Sequence, residues 1–221
     1  MLRFLFPLMA LCYCGNAYAD TSGDDIKLYL DGQRELAKML NPILSSTRKV
    51  ARVYYVDTCS PKDAMRFPAI TMRRSKVERL DSATLSKIFP AGTNVIVDDK
   101  DNIVRIFVGD VPMTLLKTNI ASLKFTPEER YNAAFAVDKI EYANEVKIAA
   151  NKLNFHPFPE LTDMITQAPM RGVPHTKKEL KNITMDSGLD HVVKTFGGTV
   201  FFGICPSSGY FSVDYIWAGL H

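Results

Sequence analysis

The chain has 221 residues, of which 47% are hydrophobic and 23% charged. Those fractions are ordinary for folded soluble domains and exclude a fibrous repeat or a disordered chain. Lysine and arginine number 27 against 24 aspartates and glutamates, a net charge of +3 that is too balanced for a nucleic-acid-binding face.

Residues 1–19 read as a secretory signal peptide. Arg3 supplies the positive start, residues 4–12 form a short apolar run, and Ala17-Tyr18-Ala19 is a small-x-small site just before Asp20. The run is shorter than the roughly 20 apolar residues needed to cross a bilayer. No later segment is apolar enough to span one, so the mature protein is expected in the periplasm or secreted. Cys12 and Cys14 would leave with the signal. Cys59 and Cys205 would remain, and an even pair in an oxidising compartment predicts a Cys59–Cys205 disulfide. Two buried free thiols are the alternative.

Residues 20–60 hold a helix and a strand. Ile26, Tyr29, Leu30, Gln33, Leu36, Leu40 and Ile43 form one stripe over 24–44, with Pro42 as its end or a kink. Residues 50–56, Val-Ala-Arg-Val-Tyr-Tyr-Val, are rich in β-branched and aromatic residues and predict a strand.

Residues 61–125 form a first unit. A strand is expected at 69–72, a short helix started by Asp81 and Ser82, strands at 93–97 and 103–108 around a polar turn, and another short helix over 113–120. Residues 126–177 hold a long helix over 126–154 and a connector with Pro157, Pro159, Pro169 and Pro174, in which a short helix is expected over 160–167. Thr126 and Glu129 form the capping box of the long helix, with Pro127 at its first position.

Residues 178–221 form a second unit of the same order. A strand at 179–185 precedes a helix carrying Leu189, Val192, Val193 and Phe196. Gly197-Gly198 stops it, and strands at 199–205 and 210–217 follow. The fold class is α+β: small sheets with short helices on one face, in repeated strand-helix-strand-strand units, plus one long helix.

Site chemistry is sparse. Glu128-Glu129 and Asp98-Asp99 are adjacent acids better explained as cap and turn than as a catalytic pair. The four histidines are scattered, no Cys/His spacing matches zinc, and no cofactor motif is present. The terminal hairpin is aromatic, with Phe201, Phe202, Tyr210, Phe211, Tyr215 and Trp217. Alternation sends neighbouring rings to opposite faces. One set fills the core. The long helix or a partner must cover the other, which makes Tyr215 and Trp217 candidate partner-binding residues.

Residues 180–194, Leu-Lys-Asn-Ile-Thr-Met-Asp-Ser-Gly-Leu-Asp-His-Val-Val-Lys, resemble the strand and helix of secretin N-terminal domains and of the short domain shared by secretins and TonB-dependent receptors. The passages 94–98 and 104–116 are similar to the same family's strand-hairpin-helix stretch. The chain lacks the downstream barrel of those proteins, and its long helix has no counterpart in the minimal domain. The resemblance implies a stand-alone periplasmic relative, an accessory of a secretion, pilus or conjugation apparatus that works by protein contact and carries no catalytic residues. A non-enzymatic adaptor is therefore the expected function. A secreted enzyme or effector is the alternative.

Overall fold

Val50–Val56 (β2) is the strand around which the protein is organised. The computed structural model describes residues 28–29, 33–56, 71–72, 81–89, 91–157 and 173–217. The expected signal peptide at 1–19, Cys59 and the expected helix at 160–167 lie outside the described residues.

Before β2 come Leu28–Tyr29 (β1) and Gln33–Ser45 (α1). Thr71–Met72 (β3), Ser82–Ser86 (α2), Thr93–Asp98 (β4), Ile103–Val108 (β5) and Asn119–Lys124 (β6) follow it. Pro127–Tyr131 (α3), Ala133–Glu141 (α4), Asn144–Lys152 (α5) and His156–Pro157 (β7) come next. Glu179–Thr184 (β8), Met185–Phe196 (α6), Thr199–Cys205 (β9) and Tyr210–Ile216 (β10) complete the chain order.

The fold is α+β. A six-stranded sheet runs β4-β5-β2-β9-β10-β7. The strands β5, β2 and β9 are parallel, and β4 and β10 flank them antiparallel. The hairpins of both repeated units thus join one sheet, on either side of β2. The strands β6 and β8 pair with each other as a separate ribbon, and β1 pairs with β3.

Helices cover both faces of the large sheet, not one as expected. Ala51, Val53 and Tyr55 of β2 pack with Val104, Ile106 and Phe201 under Leu36 and Leu40 of α1 and Leu85 of α2. Tyr54 packs with Val200, Phe202, Phe211 and Val213 under α4 and α6. The physical cause is visible in β9, where all seven residues are buried. A strand with apolar side chains pointing both ways needs cover on both sides.

The expected long helix is three helices. Asn132 is extended (φ −125°, ψ 119°), and its Oδ1 accepts from Ala134 N at 2.9 Å. An asparagine side chain that satisfies the backbone of the next turn favours a helix start over a helix interior. A second break at Ala143 lets Val146 and Ala150 of α5 join the same core from a different angle. Two other expectations change. Leu28–Tyr29 is strand, so the helical stripe begins only after Gly32, a poor helix former. Helix α1 then continues through Pro42 to Ser45. Residues 113–118 make a single turn, with Lys117 N bonded to Met113 O, and the chain then enters β6. β-branched Ile120 pairs there with Ile183.

Candidate functional site

A charged cluster lies between the sheet and α6. Side chains alternate along β2, so Arg52 and Tyr54 both face this helix. On α6, Asp186 and Asp190 are four residues apart and share one face. Thr184 fixes where the helix begins. Its Oγ1 accepts from Ser187 N at 3.1 Å, and Ser187 Oγ accepts from Thr184 N at 2.9 Å.

Arg52 is fully buried. Its Nη1 donates to Asp190 Oδ1 at 2.7 Å and to the Asp186 carbonyl at 3.0 Å, and Nη2 donates to Asp186 Oδ1 at 3.0 Å. Tyr54 Oη donates to the same Asp186 oxygen at 3.0 Å. Arg105, from the neighbouring strand, donates to the other oxygen of Asp190. The Tyr54 ring stacks on Phe107 with centroids 4.5 Å apart. Arg52 Nε has no hydrogen-bond partner among the described residues.

Burial pushes the Asp190 carboxyl up, and Arg52 and Arg105 pull it back toward ionisation. Burial also works against the Arg105 charge, but Asp190, Tyr54 and Asp186 hold it above the ordinary arginine value. Burial raises the Tyr54 hydroxyl well above its usual range. Two guanidiniums meet two carboxylates, and the phenol stays protonated. The carboxylates are committed to arginines, so the cluster supplies neither a spare base nor a nucleophile at neutral pH. It clamps α6 to the middle of the sheet. Sequence reasoning missed it, although an arginine inside an apolar strand and two acids at helical spacing were its signals.

Three of the four acids weighed from sequence have structural roles. Glu129 closes the Thr126 capping box and pairs with Lys139 at 3.0 Å. Asp98 Oδ1 accepts from Asp101 N in the β4–β5 turn, and Asp99 pairs with Lys49 at 2.7 Å. Among the described residues no group of three His, Cys, Asp or Glu is gathered for a metal ion. None of their helices is long and apolar enough to cross a membrane.

Most of the terminal aromatics turn inward. Phe201 joins the core under α1, while Phe202 and Phe211 join the core under α4 and α6. Tyr215 packs against that second core, and burial raises its hydroxyl above the usual value. Trp217 is different, being 68% exposed. It lines a groove of about 220 Å³ with Asn41, Leu44, Lys49, Phe196 and Gly198. Gly198 sits at φ 75°, where a Cβ would come within 2.6 Å of the Ile216 carbonyl. Only glycine allows that approach without displacement. The two partner-binding candidates therefore occupy different settings, Tyr215 against the core and Trp217 in the open.

Cys205 is disulfide-bonded, at the end of β9 beside the Ser208 hydroxyl. Its expected partner, Cys59, lies outside the described residues.

No family model matches the chain, and no curated protein and no solved structure was found similar to it.

Proposed function

We propose that the protein is an exported, non-enzymatic adaptor of a bacterial envelope machine, a secretion, pilus or conjugation apparatus, and that it acts by protein contact. The observation that carries this reading is Trp217. It stands exposed over a groove, while Phe201, Phe202 and Phe211 are buried. An exposed tryptophan beside a surface depression is a common anchor of protein interfaces.

Three features support the rest. The signal-peptide pattern at 1–19 supports export. The disulfide at Cys205 suits an oxidising compartment. The resemblance of residues 180–194 to secretin N-terminal domains supports a place in the envelope. The pairing of Asp186 and Asp190 with Arg52 and Arg105 leaves this cluster without a free acid or base, which is in keeping with the non-enzymatic part of the reading.

Co-purification from cross-linked envelopes tests the reading. Trp217→Ala is expected to lose the partner while keeping the melting temperature within a few degrees. Interface anchors of this type contribute about 2 kcal/mol or more, enough to reduce recovery more than tenfold. Undiminished recovery with Trp217→Ala rejects Trp217 as the anchor.

A further inference from the structure

A lysine with spare donors lines the groove beside Trp217. Lys49 follows the last turn of α1, where Arg48 is left-handed (φ 55°) and Lys49 N donates to the Leu44 carbonyl at 3.1 Å. Its side chain is only 9% exposed. Among the described residues the ammonium meets one partner, Asp99, at 2.7 Å. An ammonium carries three donors. The other two have no hydrogen-bond partner among those residues, and neither has the indole N–H of Trp217. Leu44, Val50 and Phe196 supply carbon surface to the same groove. A Cβ at Gly197 would meet nothing within 4 Å, so the groove is open at that point.

We propose that this groove receives an acidic residue of the partner protein together with an aliphatic neighbour. The carboxylate meets Lys49 and the indole N–H, and the aliphatic side chain packs on the Trp217 ring and Phe196. The proposal rests on the adaptor reading and adds the chemistry of the guest. Donors without acceptors call for an acceptor, and a carboxylate accepts on both oxygens while matching the charge of the ammonium.

The surrounding charge points the same way. Arg48 is exposed and makes no ion pair among the described residues, while Lys194 of α6 pairs with Asp101 at 3.2 Å. Arg48, Lys49 and Lys194 thus outweigh Asp99 and Asp101, and a positive surplus draws an acidic segment. Asp99 does not close the site. It is 85% exposed on the β4–β5 turn, and an ion pair with so exposed a member contributes little. A guest carboxylate that brings apolar burial with it displaces Asp99 from the ammonium.

Trp217 is the single tryptophan of the chain, so its fluorescence reports on the groove alone. The probes are two short capped peptides, one with glutamate between two leucines and one with glutamine in its place. With the full mature chain, the glutamate peptide should shift the Trp217 emission and bind about tenfold tighter than the glutamine peptide. Raising the salt from about 0.05 M to about 0.5 M should weaken the glutamate peptide and leave the other unchanged. Equal binding of the two peptides, or no response to either, overturns the proposal. A response to phosphatidylglycerol vesicles with none to the peptides also overturns it, and assigns the groove to a membrane surface. The peptide pair decides without any variant. In cells, with a photo-crosslinker at position 217, Lys49→Gln should lower the adduct about tenfold. An undiminished adduct in Lys49→Gln overturns the acidic guest and leaves Trp217 as the anchor. No adduct with Lys49 intact rejects the adaptor reading and this proposal with it.

Discussion

Arg52 and Arg105 are register partners in the neighbouring parallel strands β2 and β5, and Asp190 bonds to both. Two like charges side by side in a sheet repel. Here one carboxylate from α6 bridges them, and Asp186 holds the remaining Nη of Arg52. The position of α6 on the sheet follows from this geometry as much as from its apolar face of Leu189, Val192 and Val193.

Asp190→Ala is expected to destabilise the protein by about 3–5 kcal/mol, because it leaves a buried arginine without its closest counter-charge. Adding Arg52→Met to that variant should cost less than Arg52→Met alone. The coupling expected from a denaturant double-mutant cycle is about 1–3 kcal/mol. Additive effects would mean that the two side chains do not depend on each other.

Gly203 faces the Tyr55 ring. A Cβ there would lie 2.4 Å from Tyr55 Cζ. Tyr55 and Gly203 are also register partners between β2 and β9, so the ring lies over the glycine. Gly203→Ala is expected to cost about 1–3 kcal/mol through overpacking, and Tyr55→Val in the same chain should recover part of it. Urea denaturation of Gly203→Ala, of Tyr55→Val and of the double variant measures both effects.

Asn132→Ala removes the side chain that caps α4. A loss of about 1 kcal/mol is expected, as for other helix N-caps. The same denaturation series reads it.

Local signals account for what was legible in the sequence. The strands β2, β5, β9 and β10 stand out as β-branched and aromatic runs, and the Thr126 capping box and the Gly197 stop mark helix ends where the structure has them. Long-range arrangement was not legible. The insertion of β2 between β5 and β9 depends on side chains far apart in sequence, and so does cover on both sheet faces. The helical stripe over 126–154 runs through Asn132 without interruption, but the asparagine's preference for capping prevails over the stripe. Of the candidate site, the sequence indicated an aromatic end with Tyr215 and Trp217 as outward candidates, but could not separate Tyr215, packed against the core, from exposed Trp217. Arg52, Asp186 and Asp190 carry obvious charges. They went unnoticed because pairing them requires knowing that α6 crosses β2.

Export and oxidation have their own check. Intact mass of the protein recovered from the periplasm or medium should begin at Asp20, and non-reducing peptide mapping should link Cys205 to Cys59. A mature chain that retains Met1, or a Cys205 thiol that titrates freely in the native protein, contradicts this part of the account.

The adaptor reading stands or falls at Trp217. The most direct measurement places a photo-crosslinking amino acid at position 217 in living cells, with the same probe at exposed Ile148 of α5 as control. The account predicts one discrete cross-linked envelope protein from position 217 and none from position 148. No adduct from position 217, or equal adducts from both positions, would contradict it.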